Sequence, residues 1–139
     1  MALPDVNLVA VLVSSIVGMA IGVLWYSPLL FGKLWMTLNV IPEKQIKAAK
    51  KSGMGKLYFA NFIGTLVMAY VLSHFVDYAG ATTVTGGMQA GFWAWLGFIA
   101  TVLLGNILWE GKSLKLYLLN IGHYLIVLLA MGAILAVWV

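Results

Sequence analysis

Cysteine and arginine are both absent from this sequence, and charged residues of any kind are scarce. Without cysteine the chain has no disulfide, no thiolate metal site and no redox thiol. All eight basic residues are lysines, so the side chain that usually grips phosphate or carboxylate with two hydrogen bonds is missing. Because the chain also has no long polar segment, nucleic acid is not expected as a partner.

The apolar residues that are present are too many for a soluble domain. Of the 139 residues, 63% are hydrophobic and only 9% are charged, and the mean hydropathy is +1.03. A soluble domain of this size could not cover that much apolar side chain, whereas a lipid bilayer can. The composition therefore predicts one integral membrane domain over residues 1–139.

Apolar runs of bilayer length occur four times, at about residues 6–26, 57–76, 88–109 and 116–138. They predict an all-α membrane protein in which four transmembrane helices form a small bundle. Pro28 disfavours helical geometry at Ser27, so the first span is expected to end there. The segment that follows, within a basic loop of about residues 29–56, is too short to span. We expect it to be a short interfacial and basic helical segment.

The lysines lie in only two of the three connections between spans. The positive-inside rule then predicts that both connections are cytoplasmic. It also predicts a multi-pass protein of the inner (plasma) membrane with both termini outside. The lysines expected to face lipid, with anionic headgroups favoured, are Lys33, Lys44, Lys47, Lys50 and Lys51. A solvated loop that only sets the topology is favoured over specific lipid binding.

Small residues recur every four positions on two of the spans. Lipid supplies no hydrophobic drive for helix association, so such faces indicate close helix contacts, either within a subunit or between subunits. We expect a homo-oligomer. The stretch "TGGMQAG" is interpreted as a flexible entry to the third helix. The two packing faces consist of Ser14, Gly18 and Gly22 on the first span and Gly97, Thr101 and Gly105 on the third.

Polar side chains concentrate at one depth, on the lysine side of the membrane. At ~1.5 Å per helical residue, the asparagines of the last three spans lie roughly 7–9 Å from the nearest lysines. Amides that only hold helices together, a polar pocket or conduction path, and a partner-binding face all remain open. The polar layer consists of Tyr26, Asn61, Asn106, Glu110, Asn120 and His123. The aromatic residues at its edge are Trp25, Trp35 and Trp109.

Tyr26 is the residue on which these alternatives differ most clearly. The turn at Pro28 holds it and Trp25 in place beside the polar layer. If the layer is a site, we expect the Tyr26 hydroxyl to hydrogen-bond into it and Trp25 to separate it from lipid. If the pair is only an interfacial anchor, the hydroxyl should lie among the headgroups.

Neither a metal site nor an enzyme is indicated. His74 and His123 lie roughly 27 and 12 Å deep by the helical rise, so they cannot share an ion. No cofactor is expected, and phosphate-loop, HExxH and GxSxG motifs are absent. The leading hypothesis is an oligomeric pore or small-molecule transport protein. An accessory or structural subunit of a larger membrane complex is the main alternative, and a membrane-embedded enzyme is the third.

Four stretches, "GVLWYSPLLFGKLW", "GFWAWLGFIAT", "KLYLLN" and "MGAILAVW", together resemble the DUF1761 family of small four-span membrane proteins of unknown function. The resemblance covers nearly the whole chain. Its most specific part is Trp25–Pro28 with Gly32, Lys33 and Trp35. In the family, the acidic residue that closes the third span often follows a Phe. Here Glu110 follows Trp109, so the chain departs from the family pattern at this position. The resemblance implies a four-span fold and no particular activity.

Overall fold

The computed structural model describes residues 6–39 and 43–138, and within these ranges every regular element is a helix. Four helices are long and apolar enough to cross a membrane, and two short helices lie between the first and second of them. The predicted all-α fold is therefore confirmed. The helices are α1 (Leu8–Trp25), α2 (Gly32–Asn39), α3 (Glu43–Ser52), α4 (Gly55–Tyr78), α5 (Val84–Leu108) and α6 (Leu114–Val137).

The largest difference from the predicted spans is at the start of α5, which begins at residue 84 instead of about 88. The cause is Thr83, whose hydroxyl accepts the N–H of Gly86 at 3.0 Å and caps the helix. The "TGGMQAG" stretch therefore lies inside α5, and its interpretation as a flexible entry was wrong. Asn7 and Ser113 cap α1 and α6 in the same way.

A tight reversal connects α1 to α2. Pro28 follows the end of α1, and the N–H of Gly32 donates to the carbonyl oxygen of Ser27 at 2.9 Å. A Cβ at Gly32 would lie 2.5 Å from the carbonyl oxygen of Tyr26, so only glycine fits. The reversal therefore fixes the positions of Trp25 and Tyr26 at the end of α1.

The last helix, α6, is the centre of the bundle, because it packs against α1, α4 and α5. Its closest neighbour is α5. A Cβ on Gly87 or Gly132 would collide with the carbonyl oxygen of the other residue, and a Cβ on Gly91 would collide with the carbonyl oxygen of Leu128. Backbone therefore meets backbone at this contact, as small residues allow in membrane helix pairs.

The helix α5 is irregular in its second half. A π-helical segment occupies Leu96–Ala100, and the helix is interrupted again at Leu104. The Tyr117 hydroxyl of α6 donates to the Ala100 carbonyl oxygen at 2.6 Å. The Trp95 indole donates to the Ile121 carbonyl oxygen at 2.7 Å. Side chains at both ends of the irregular segment thus tie α5 to α6, because a carbonyl oxygen can accept more than one hydrogen bond.

The two predicted packing faces differ in what they contact. A Cβ at Gly18 would lie 2.7 Å from the Cε of Met131, and a Cβ at Gly22 would lie 3.1 Å from Nε2 of His123. The face on α1 therefore lies against α6. On the predicted face of α5, by contrast, no described atom lies within 4 Å of a Cβ built on Gly97. Contact of that face with another subunit stays a prediction.

Candidate functional site

Three of the predicted polar residues, Tyr26 of α1, Asn61 of α4 and His123 of α6, line a pocket of about 680 Å³. The pocket lies at the end of the bundle nearest α2 and α3. It is lined by Gly18, Met19, Gly22, Val23, Tyr26, Ser27, Pro28, Met54, Tyr58, Asn61, Gly64, Thr65, Met68, His123, Tyr124 and Val127.

The pocket exists because α1 and α4 are packed together only over part of their length. At the far end, Ala10 and Val11 of α1 join Leu72 and Val76 of α4 in one buried core with α6. Nearer the pocket, no atom of a described residue lies within 4 Å of a Cβ built on Gly64 of α4. The two helices thus enclose open space at one end, and α6 forms the back wall.

Hydrogen bonds from the end of α1 fix the wall formed by α6. The Tyr26 hydroxyl donates to Oδ1 of Asn120 at 2.8 Å, and the Trp25 indole donates to the Leu119 carbonyl oxygen at 3.2 Å. The structure therefore contains the interhelical bond that the sequence predicted for Tyr26 as a member of the polar layer. Trp35 of α2 packs edge-on against Tyr26, with ring centroids 5.8 Å apart.

His123 sits among aromatic rings in the wall of the pocket. Its ring centroid lies 6.3 Å from that of Trp25, 5.1 Å from that of Tyr26 and 4.7 Å from that of Tyr124. Both ring nitrogens are buried and neither makes a hydrogen bond to a described residue. A buried polar group without a partner costs free energy, and such groups are uncommon in native structures. His123 is thus the least satisfied polar side chain of this pocket.

The opposite wall carries Asn61 and Thr65 of α4. The Asn61 amide donates to the sulfur of Met19 at 3.1 Å, which links α4 to α1 across the pocket. The Thr65 hydroxyl donates to the carbonyl oxygen of Asn61 at 2.8 Å. Their spacing of four residues places them on the same face of α4. The contact with Met19 had no signal in the sequence, because a thioether is only a weak acceptor.

Six of the nine predicted residues are not among those that line this pocket. Three of the six, Trp25, Trp35 and Asn120, contact residues that do line it, and the other three lie at the end of α5 or just after it. Asn106 of α5 is half-buried, whereas Trp109 and Glu110, which follow the helix, are exposed, Trp109 to 87%. The equal depth of the asparagines therefore did not bring all of them to one place. The depth of a residue along the membrane normal does not determine the direction in which its side chain points from the helix axis.

The lysines predicted to face lipid lie on α2 and α3, beside this end of the bundle. Lys33, Lys44, Lys47 and Lys51 are exposed. Lys50 lies in α3, but its side chain is outside what the structure describes.

The two histidines are on different parts of the molecule. His74 bonds through Nδ1 to the carbonyl oxygen of Tyr70, one turn earlier in α4, at 2.9 Å. Within residues 6–39 and 43–138, no three His, Cys, Asp or Glu side chains form a group that could hold a metal ion.

A second, smaller cavity of about 130 Å³ lies at the opposite end of the same three helices. Its polar lining includes Asn7, Ser73, Asp77 and Thr82, which the predicted polar layer did not contain. Its apolar lining includes Ala10 of α1 and Leu135 of α6.

The chemistry of the larger pocket is apolar with a few neutral polar groups. No Lys, Asp or Glu is among its described lining residues. Hydroxyls, an amide and an imidazole are spaced around methionine, valine and glycine surfaces. Pockets of this size and character bind small organic molecules, and their few polar groups fix the orientation of the ligand.

Fold and pocket together define a small four-span α-helical membrane protein, whose spans are assigned by length and composition. The family model described as "Protein of unknown function (DUF1761)" matches residues 9–136, so the chain belongs to the DUF1761 family, as its motifs indicated. No curated protein and no solved structure matches the chain.

Proposed function

We propose that the protein transports a small neutral molecule across the membrane and binds it in the pocket between α1, α4 and α6. The pocket itself is the observation that carries this proposal. It offers about 680 Å³ beside His123, whose two ring nitrogens lack partners. Because no Lys, Asp or Glu is among the described residues that line it, a neutral amphipathic molecule is a better match than an ion.

The closed core favours a carrier over a standing pore within one chain. The pocket ends at Gly18, Met68 and Val127. Beyond these residues the three helices pack tightly around a buried core. A molecule in the pocket would therefore cross only when this core opens. A pore between copies is the alternative, and the uncovered face of α5 at Gly97 would be available for a homo-oligomer.

The distribution of lysine predicts which side of the membrane the pocket faces. Lysines lie on α2, on α3 and in the connection between α5 and α6, at the same end as the pocket. The positive-inside rule supports a cytoplasmic position for this end. The pocket would then open in the cytoplasmic leaflet of the plasma membrane, with both termini outside.

The test is solute flux into proteoliposomes with two matched variants of α4. Gly64→Leu adds a side chain to the pocket, where a Cβ meets nothing. Ala60→Leu adds similar volume one turn away, at an exposed position outside the pocket lining. Glycerol and indole, two neutral probes that differ in apolar surface, would be measured by stopped-flow light scattering and by fluorescence.

We expect the wild-type protein and Ala60→Leu to carry at least one probe faster than empty vesicles do. We expect Gly64→Leu to fall to the rate of empty vesicles, because leucine would occupy the binding space. Flux equal to that of empty vesicles for the wild type, or equal flux for the two variants, would refute the proposal. Size-exclusion profiles of all three proteins control for folding.

A further inference from the structure

The two cavities lie on one line through the molecule, because the same three helices line both. The larger pocket takes residues from one half of α1, α4 and α6, and the smaller cavity takes residues from the other half. On α1, the nearest lining residues of the two cavities are Gly18 and Ala10. Eight helical residues rise about 12 Å. A barrier only about two helical turns thick therefore separates the cavities.

Each helix contributes one residue to the middle of this barrier. On every helix, a pocket residue and a cavity residue are eight positions apart on one face, and the residue midway between them is 0% exposed. The three sets are Gly18, Ser14 and Ala10 on α1; Thr65, Ala69 and Ser73 on α4; and Val127, Met131 and Leu135 on α6.

Only one of the three middle residues is large. Ser14 and Ala69 are small, whereas Met131 is the largest fully buried side chain in the described part of the chain. Its Cε would lie 2.7 Å from a Cβ at Gly18, so its tip lies against a residue that lines the end of the pocket. Methionine has three rotatable bonds and adapts to irregular gaps. A change of the Met131 rotamer can therefore change how far the barrier is closed at this level.

Ser14 adds an independent observation. Its neighbour Ser15 donates to the carbonyl oxygen of Val11 at 2.7 Å, as serine commonly does in a membrane helix. The Ser14 hydroxyl is equally buried but makes no hydrogen bond to any residue that the structure describes. A hydroxyl placed without a partner in an apolar barrier is costly. Water or a polar group of a passing molecule would supply the missing partner.

We propose that the interface of α1, α4 and α6 is the translocation path, that Met131 is its gate, and that Ser14 is the polar contact within it. This inference rests on the proposed transport function and names the path that the bound molecule follows. With Met131 in its present rotamer, the path is closed. When its side chain moves away, the pocket joins the cavity through Ser14.

The experiment exploits the absence of cysteine from the chain. Ser14→Cys would be made in the wild-type background and together with Met131→Ala or Met131→Leu. A charged, membrane-impermeant methanethiosulfonate would be added to intact cells and, separately, to inside-out vesicles. Thr65→Cys, on the pocket wall, reports in each background whether the pocket is intact and reached by water.

We expect Ser14→Cys to stay unlabelled with Met131 or Met131→Leu. With Met131→Ala it should be labelled from both sides, at least about tenfold faster, because only a thiolate in contact with water reacts. Labelling from one side only, from neither side, or equally in the Met131→Leu background would overturn the proposal. The readout needs no substrate, so it is separate from the flux test of the proposed function.

Discussion

At the scale of single residues, the site depends on hydrogen bonds that side chains of α1 make to α6. Trp25 donates to a backbone carbonyl and Tyr26 to the Asn120 amide. Both donors lie at the end of α1, beside the tight reversal formed at Pro28 and Gly32. In a membrane interior such bonds have little competition from water, so they hold the pocket wall in one arrangement.

Replacing Tyr26 by Phe removes one of these bonds and keeps the ring. Asn120 then loses its partner, and we expect Tyr26→Phe to lower the free energy of unfolding by about 1–3 kcal/mol. An interfacial anchor would lose almost nothing, since the ring remains. Tyr70→Phe is the control, because the Tyr70 ring packs on His74 and its hydroxyl bonds to no described residue. Equal unfolding midpoints in a graded SDS titration would contradict the expectation.

The bond from Tyr26 could be predicted because the argument needed only local facts. Pro28 fixed the end of the helix, and counting from the lysines gave Asn120 its depth. The partnerless state of His123 could not be predicted in this way. Whether an imidazole finds a partner depends on which side chains three separate helices bring to it, and no local pattern in the sequence encodes that.

At the scale of elements, the contact between α5 and α6 is the tightest in the bundle. Gly87 and Gly132 leave no room for a Cβ on either helix. Association of membrane helices depends on such close packing, because burial from lipid gives no hydrophobic gain. Loss of this contact would leave α5 attached mainly through its irregular second half.

A single added methyl group should therefore be costly at this contact. We expect Gly132→Ala to destabilise the protein by about 1–3 kcal/mol, because the Cβ meets a backbone carbonyl that cannot rotate away. Gly64→Ala is the matched control, since its Cβ meets nothing and alanine favours the helix. Thermal unfolding in detergent, followed by tryptophan fluorescence, would measure both. A Gly132→Ala midpoint equal to that of the wild type would exclude the tight contact.

Helix number and the approximate helix ends followed from apolar length and from Pro28, whereas the helix partners did not. The face of Gly97, Thr101 and Gly105 indicated close packing, but within the chain α5 uses Gly87 and Gly91 instead. That pair also has the four-residue spacing of close-packed membrane helices, so a signal was present. A stripe of small residues shows that another helix can approach closely, but it does not identify which helix does so.

At the scale of the whole molecule, the two ends of the bundle differ because the lysines lie at only one of them. The pocket, α2 and α3 share one end, and the cavity near Asp77 lies at the other. The positive-inside rule predicts that the first end faces the cytoplasm.

Cysteine labelling on intact cells would check this orientation. With a membrane-impermeant maleimide, we expect Ala81→Cys to be labelled and Lys47→Cys to be labelled only after the cells are permeabilised. Ala81 lies in the connection after α4 and Lys47 in α3. The reverse pattern would mean that both termini are cytoplasmic. The fold and the two cavities would be unaffected, but the pocket would then open outside.

The pocket could not have been predicted from the sequence, because it is a property of helix arrangement. Its residues were in part recognised, since amides and histidine are conspicuous in apolar helices. Its volume arises because α1 and α4 separate beyond Gly18 and Thr65. The amino-acid composition does not specify the point along two helices at which they separate. The midway positions of Ser14, Ala69 and Met131 likewise acquire meaning only when three helices are aligned.

The central position of α6 has a consequence for biosynthesis. The ribosome makes this helix after the other three spans, yet α5 depends on it for nearly all of its packing. Until α6 enters the bilayer, Gly87 and Gly91 lack the surface that fits them, and Trp25 and Tyr26 lack their acceptors. We therefore expect the first three spans to stay incompletely packed until α6 is inserted, and assembly to be completed in one late step.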